Sequence, residues 1–211
     1  MQEKIIQALR WRYAVQAFDP TKRVTATDLR TILESGRLAP SSFGLEPWKF
    51  IVVENPELRE KLKTASYGQS KVTEASHLIV LARRTDARES LVRERLERTA
   101  QIRNQEIDSL AGFKEMLEGV IAGQDDASLE NWNARQAYIA LGMMMETASL
   151  LGIDNAAMEG FDAKGVDEVL GLADKHLASV SLLALGYRGA DPAAEYPKVR
   201  RDFDAVVEFV K

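Results

Sequence analysis

The sequence predicts an α+β domain in which helices cover both faces of a central sheet. Segments with helical spacing of apolar residues alternate along the chain with short apolar runs typical of buried strands. The 211 residues show no internal repeat and no linker that would divide them. A chain of this length buries about 70% of its unfolded surface. We therefore expect one domain spanning residues 1–211, with about five strands.

The N-terminal segments predict two helices followed by a strand. Apolar spacing from Ile5 to Tyr13 predicts an opening helix that ends near Arg10–Arg12. Thr25 and Asp28 have capping-box spacing, so a second helix begins there, and Pro40 ends it. The loop 40–48 leads into Phe50–Val53, an unbroken apolar run that predicts a strand buried on both faces.

The middle of the chain combines a strand, a charged region and an apolar helix. Asn55 and Pro56 begin a helix to about Ala65, and Leu78–Ala82 reads as the next buried strand. Arg83–Leu117 predicts charged helices with sparse apolar positions, expected to cover a site rather than to form a core. A turn at 125–128 precedes Ala134–Leu151, which is apolar on nearly all sides and is predicted as the central helix.

The last third predicts three strands and one helix. Asn155–Met158 and Val180–Leu185 are strand candidates, and a helix spans about Ala163–Leu170 between them. Val206–Val210 is a fifth strand candidate with an exposed character.

Composition excludes several classes of function. The chain has 28 Lys and Arg against 32 Asp and Glu, a net charge of −4, so no global positive field attracts nucleic acid or an anionic membrane. No apolar run reaches the ~20 residues of a membrane span. The residues Met1–Lys4 lack a secretory pattern, and we expect a cytoplasmic protein.

The sequence also lacks most side chains that carry chemistry by themselves. There is no Cys, and the only histidines are His77 and His176, so we expect no disulfide, no thiolate nucleophile and no metal site. Ser41 and Ser42 lack the glycine-framed turn of an activated serine. The glycines form neither a GxGxxG nor a GxxxxGK pattern. Whatever chemistry occurs must therefore be carried by another group.

Candidate binding residues lie far apart in the sequence. Arg12, Lys198 and Arg200 would form a phosphate pocket if they converge, although each could equally be a solvated surface charge. Ser41 and Ser42 could bind a polar ring or cap local backbone. Gly160 follows a strand end, where it would either admit a ligand close to the backbone or serve a turn.

The order of these motifs resembles that of the FMN-dependent nitroreductase family. The motifs are Arg12–Asp19, Ala39–Phe50, Glu74–His77, Met158–Phe161 and Pro197–Arg200. The resemblance covers nearly the whole chain and fails mainly across a variable region, expected to be a helical insertion at about 86–131. It implies a three-layer fold with a mixed sheet, built as an intertwined homodimer whose C-terminal segments exchange and whose two FMN sites lie at the interface.

The resemblance also implies roles for individual residues. Arg12, Ala14, Lys198 and Arg200 match positions that bind the FMN phosphate. The loop that approaches the flavin from the partner subunit is matched by Pro40, Ser41, Ser42 and Gly44. The strand end beside flavin N5 is matched by Met158, Glu159 and Gly160. Donors to the pyrimidine edge and ribityl chain fall at Gln69 and Lys71, and the remaining cofactor-binding positions are Tyr13 and Gln16.

Four positions depart from the family's usual residues or add to them. Gln16 stands where lysine is frequent, which leaves Lys71 to supply more of the positive charge at the flavin edge. Gly44 and Glu46 stand where Asn and Gln are common, and Glu46 is expected to repel anionic substrates. Phe43 offers an aromatic face that could bind a planar substrate, although core packing explains it nearly as well.

These matches imply an oxidoreductase without a catalytic protein residue. NAD(P)H would reduce FMN by hydride transfer, and a nitroaromatic, quinone or similar small-molecule acceptor would then take the electrons in a ping-pong cycle. One alternative is a flavin, dihydropteridine or small-aldehyde reductase of the same fold. The others are a flavin-binding protein without turnover and an α/β interaction domain with scattered basic residues.

Overall fold

Four strands form one sheet in the computed structural model, which describes residues 1–211, the side chain of Glu89 excepted. They are β1 (Trp48–Val53), β2 (His77–Arg84), β3 (Asp154–Met158) and β4 (Leu177–Gly186). Their spatial order is β1-β2-β4-β3, and every neighbouring pair is antiparallel. β2 and β4 are therefore the central strands.

Eight α-helices surround the sheet, and their bounds agree closely with the sequence pattern in several cases. They are α1 (Gln2–Trp11), α2 (Ala26–Arg37), α3 (Pro56–Ala65), α4 (Lys71–Glu74), α5 (Val92–Arg103), α6 (Ala111–Ala122), α7 (Asp126–Leu150) and α8 (Ala163–Leu170). A π-helical turn covers Ala87–Leu91, and short 3-10 turns connect other elements. Among the described residues, no helix has the length and apolar character needed to cross a membrane.

The two faces of the sheet support two separate cores. In β2, Leu78 and Val80 pack in the cluster beneath α3 and α8, whereas Ile79 and Leu81 pack in the cluster beneath α2 and α7. This alternation follows from the period of two in a β-strand. All four side chains are fully buried. The helix–sheet–helix layering predicted from the sequence is confirmed.

The sheet has four antiparallel strands rather than about five in a mixed arrangement. Val206–Val210 forms no strand in this chain, because no described strand pairs with it. Among the described residues, the only parallel pairing is an isolated bridge between Ala14 and Asn155. The prediction that Phe50–Val53 is buried on both faces was also wrong. β1 is an edge strand in which only Val53 is fully buried. Ile51 and Val53 pack on one core, Phe50 and Val52 pack only partly on the other, and the outer edge is unpaired among the described strands.

Two predictions about the variable region need correction. The central helix α7 begins eight residues before Ala134, because the predicted turn at 125–128 is its cap: Asp125 Oδ1 accepts a hydrogen bond of 2.7 Å from Ser128 N. The charged helices also form a core of their own, in which sparse apolar residues such as Leu96 and Leu117 converge with Leu45. A few apolar residues per helix are enough to form this core, because several short elements each contribute some of them to one cluster.

Candidate functional site

The loop after α1 is held in place by a buried carboxylate from the far end of the chain. Asp191 Oδ2 accepts hydrogen bonds from Tyr13 Oη (2.9 Å), Gln16 N (2.7 Å) and Ala17 N (3.4 Å), and Oδ1 accepts one from Ala193 N (3.0 Å). Burial opposes ionisation of Asp191, but these four bonds outweigh it and lower its pKa. Burial and the Asp191 carboxylate raise the pKa of Tyr13 to about 12. This contact fixes where the loop backbone runs.

A second set of contacts fixes the ends of that loop. Arg188 forms an ion pair with the buried Asp154, with Nη2 2.5 Å from Oδ1, and its guanidinium lies 4.4 Å from the ring centroid of Trp11 and 4.7 Å from that of Tyr13. Arg188 N also donates to Asp154 Oδ2 at 2.8 Å. A guanidinium stacked between two rings holds both side chains in one orientation.

Arg12, Lys198 and Arg200 are brought together around one cavity of about 420 Å³. Lys198 Nζ donates to the carbonyl oxygens of Leu9 (2.7 Å) and Arg12, which ties the C-terminal segment to the end of α1. Among the described residues that line this cavity, none is acidic. The chain ends therefore meet in a pocket that carries only positive charge.

The electrostatics of this cavity favour an anionic ligand. Burial, and then the charge of Arg200, lower the pKa of Arg12. Burial and the charges of Arg12 and Arg200 lower the pKa of Lys198. Arg12 Nε is buried and has no hydrogen-bond partner among the described residues. Burial is the larger cause of both shifts and the like charges add to it, so a phosphate would offset the repulsion and offer an acceptor to Arg12 Nε.

Lys71 contacts the loop after α1, part of which lines this cavity. Its Nζ donates to Gln16 Oε1 at 3.1 Å, and Gln16 Nε2 donates to the carbonyl of Ala14 at 2.7 Å. Lys71 is only 8% exposed, and burial lowers its pKa while Asp191 opposes that effect. The residue is therefore a buried cation whose direct partner is a neutral amide.

Gln69 connects the segment 69–71 to the end of β3. Its Nε2 donates to the carbonyl oxygens of Gly160 (2.6 Å) and Ser66 (3.0 Å). Met158 lies at the strand end with its side chain in the core, so only its backbone could face a ligand. The structure thus brings the loop 12–16, the segment 69–71 and the strand end 158–160 to one side of the sheet.

Tyr138 on α7 also contacts this strand end. Its Oη donates to Glu159 Oε1 at 2.6 Å, and burial together with that carboxylate raises the pKa of Tyr138 to about 12. The sequence gives no signal for Tyr138, Asp191 or Arg188 as site residues, because their partners are at least 21 residues away in the chain.

The loop Pro40–Gly44 lies elsewhere in the same chain. Ser42 N donates to Gln136 Oε1 at 2.9 Å, and Ser41 Oγ accepts from Glu46 N at 2.9 Å. Gln136 and Tyr138 are two residues apart on α7, so they point about 200° apart around the helix. The predicted loop and the predicted strand end therefore contact different faces of α7 in this chain.

The same loop has an unusual backbone. Phe43, Gly44 and Glu46 all have positive φ, at 57°, 67° and 49°. Positive φ is uncommon for a non-glycine residue and a genuine outlier for a bulky one. The Phe43 side chain is 41% exposed, so it does not pack in the core as the alternative interpretation required. An aromatic side chain is thus held outward by a constrained turn.

The fold and the pocket define an α+β protein with a cationic cavity, lined by no described acidic residue, beside an antiparallel sheet. The sequence model of the nitroreductase family matches residues 9–187, and the chain belongs to this family. Its members are oxidoreductases. A Staphylococcus epidermidis protein named "Putative NAD(P)H nitroreductase" is 38% identical over 100% of this chain and 99% of its own, and a Staphylococcus haemolyticus protein of the same name is 39% identical over 100% and 99%.

Solved structures confirm the nitroreductase-like fold. A Bacillus subtilis protein described as "putative nitroreductase ydfN" superposes with a TM-score of 0.88 over 100% of both chains at 22% identity. An Exiguobacterium sibiricum protein described as a "putative nitroreductase in complex with FMN" has a TM-score of 0.83 over 98% of this chain and 97% of its own at 20% identity.

Proposed function

We propose that this protein is an FMN-dependent NAD(P)H oxidoreductase that reduces nitroaromatics, quinones or similar electron-poor acceptors in a ping-pong cycle. Bound FMN would supply the redox chemistry by accepting and donating hydride at N5. The observation that carries the proposal is the acid-free cavity formed by Arg12, Lys198 and Arg200. The residues present fit the cofactor, because the unpartnered Arg12 Nε and two further cations match a phosphate dianion.

Arg12, Lys198 and Arg200 would hold the phosphate and anchor the cofactor. Two guanidinium groups offer forked donors, and the ammonium of Lys198 adds a point charge. Because Lys198 already donates to carbonyls at the end of α1, a bound phosphate would also fix the C-terminal segment in place.

Lys71 and Gln69 would face the polar edge of the flavin ring. The Lys71 ammonium is buried, so its field is weakly screened and stabilises negative charge on a neighbouring ring. Gln16 orients that ammonium through its amide oxygen without neutralising it. Glu159 and Gly160 would place backbone beside the reacting edge, since Gln69 binds the Gly160 carbonyl.

A homodimer would complete the site. The loop Pro40–Gly44 and the strand end at Glu159 contact different faces of α7 in one chain, so a second chain is needed for both to meet one flavin. α7 exposes Tyr138, Ile139 and Gly142 on one stripe, which suits a neighbouring helix.

The C-terminal segment would reach over the partner in this dimer. Val199, Phe203, Phe209 and Val210 are each more than 60% exposed in the single chain. The outer edge of β1 is unpaired among the described strands, and an apolar groove of about 580 Å³ lies between β1 and α2. A partner's terminal strand would satisfy this edge and bury these side chains.

Absorption spectroscopy of the purified protein tests the proposal. We expect a flavin spectrum that bleaches anaerobically on addition of NADH or NADPH and returns on addition of a nitroaromatic or quinone. A colourless protein that takes up no added FMN would refute it. Full FMN occupancy without bleaching would identify a carrier or sensor instead. Comparing kcat/KM for competing acceptors would separate nitroreductase activity from flavin, dihydropteridine or aldehyde reduction.

A further inference from the structure

Two arginines on one face of α5 contact the constrained loop 43–46. Arg98 Nη2 lies 3.2 Å from Glu46 Oε2. The Arg95 guanidinium lies directly against Gly44: a Cβ at this glycine would be 2.8 Å from Arg95 Cζ. Gly44 is therefore required both by its positive φ and by the approach of this cation.

Among the described residues, Arg95 is the cation of this group without a counter-ion. Glu46 is paired with Arg98, and the nearby Arg37 is paired with Glu34 at 2.6 Å. The Arg95 side chain makes no hydrogen bond or ion pair with a described residue, and its Nε is buried without a partner. A buried donor left unpaired is costly, so a ligand that supplies an acceptor would bind favourably here.

We propose that Arg95 is a specificity-determining residue that binds an anionic oxygen group of the molecule undergoing reduction or of the nucleotide donor. This inference rests on the proposed function, which puts the loop 40–44 beside the flavin. Phe43 would then contact the planar part of the ligand, and Arg95, next to Gly44, would bind its carboxylate or phosphate through the forked guanidinium.

This arrangement reverses the electrostatic expectation from the sequence. Glu46 was expected to repel anionic substrates, but its charge is compensated by Arg98. Among the described residues, the contacts place Arg37, Glu34, Glu46, Arg98 and Arg95 around the loop 43–46. Since both carboxylates of this group have guanidinium partners, its unpaired charge is that of Arg95, and it is positive.

Matched acceptors on the FMN-loaded protein test the assignment. 4-Nitrobenzoate and 4-nitrobenzamide share a ring and differ in charge. For Arg95→Gln we expect kcat/KM for nitrobenzoate to fall about tenfold, mainly through KM, and that for nitrobenzamide to stay within about twofold. Arg95→Lys should retain part of the preference because it keeps the charge but not the fork.

Arg93→Gln is the matched control. Arg93 is two residues away on α5 and thus on another face, is exposed, and has a single pairing at 4.0 Å, with Glu97. It should leave both acceptors unchanged. A loss of kcat/KM in Arg95→Gln with NADPH but not with NADH would assign the 2′-phosphate of the nucleotide as the ligand. If the two donors behave alike, equal losses on the charged and neutral acceptors, or no loss on either, would overturn the proposal.

A binding measurement separates this inference from the proposed function. Calorimetric titration with benzoate should show a dissociation constant about tenfold weaker in Arg95→Gln than in the wild type, with benzamide unaffected. A dissociation constant for benzoate that is the same in both Arg95 variants and the wild type would count against the assignment, even if the wild type bleaches with NAD(P)H. Conversely, a wild type that binds FMN and benzoate but never bleaches would refute the proposed activity and leave the Arg95 contact standing.

Discussion

Lys71 Nζ donates a hydrogen bond of 3.1 Å to Gln16 Oε1, and this contact joins the loop after α1 to the first turn of α4. Lys71 is almost fully buried, and burial lowers its pKa. A carboxylate at position 16 would have neutralised the cation, and a lysine would have repelled it. The neutral amide instead fixes the direction of the ammonium and leaves its charge available to an anionic ligand.

Gln16→Lys should therefore change both stability and redox potential. The new ammonium would lie close to Lys71, so we expect a lower Tm for the apoprotein. With FMN bound, two cations at the ring edge would favour the anionic reduced flavin and raise its midpoint potential by roughly 30 mV, about 1.4 kcal/mol for two electrons.

Gln7→Lys is the control for that variant, because Gln7 is exposed on α1 and only bonds Glu3 at 3.2 Å. It adds the same charge on α1, outside the loop that contacts Lys71. A midpoint potential that moves equally in both variants would show that net charge, and not the contact with Lys71, sets the shift. Spectroelectrochemistry measures the potential and calorimetry measures the Tm.

Local sequence signals predicted the scaffold well. Thr25 caps α2 as expected: its Oγ1 accepts from Asp28 N at 3.1 Å and α2 begins at Ala26. The Asp28 carboxylate accepts from Thr25 Oγ1 at 2.8 Å instead of from Thr25 N. The predicted helix over Ala163–Leu170 has those bounds. Both depend on contacts between residues within a few positions of each other, which the sequence displays directly.

Long-range contacts could not be predicted in this way. Asp191 is identified as a site residue only because it meets Tyr13, 178 residues earlier, and Arg95 only because a loop about 50 residues away approaches its helix. The prediction of a fifth strand was wrong for a related reason. Val206–Val210 has a pattern suitable for a strand, but a strand forms only where it can pair with the edge of a sheet. The pattern does not show which chain supplies that edge.

Removing a cation from the phosphate cavity should weaken FMN retention. Arg12→Ala and Arg200→Ala each leave the phosphate short of a partner in a partly desolvated pocket, at a cost of about 2 to 5 kcal/mol. Arg201→Ala removes the same charge at the next residue in the sequence, which does not line the cavity, and should have little effect on FMN affinity. Fluorescence titration of the apoprotein with FMN measures all three. Unchanged FMN affinity in both cavity variants would refute the phosphate assignment.

Asp191→Asn should destabilise the loop that carries Arg12 and Gln16. The carboxylate accepts four hydrogen bonds, and an amide replaces one acceptor oxygen by a donor, so we expect a loss of about 1 to 3 kcal/mol near neutral pH. Because the folded-state pKa lies below the unfolded value of 3.8, this stability is fully present above that value and is lost as the pH falls through the folded-state pKa.

The difference in unfolding free energy between wild type and Asp191→Asn should accordingly shrink below about pH 4. Asp174→Asn, at an exposed position, is the control and should show no such convergence. Denaturant unfolding at pH 7 and at pH 3.5 provides the comparison. A difference that is constant across this range would mean that the ionised Asp191 does not support the loop.

Gly142→Arg should separate the proposed dimer from the fold of the single chain. Gly142 lies on the exposed stripe of α7, and a Cβ there would meet nothing within 4 Å, so the single chain has room for a larger side chain. At a helix–helix interface the same arginine would clash and bury an unpaired charge, which is strongly unfavourable. We expect a monomer by light scattering, with an unchanged far-UV spectrum and weakened FMN binding, because the loop Pro40–Gly44 of the second chain is lost.

Gly119→Arg on α6, which has equally open surroundings, should remain dimeric and retain FMN. Retention of the dimer in Gly142→Arg would exclude this face of α7 from the interface, and a monomer that still binds FMN with full affinity would show that one chain holds the cofactor by itself.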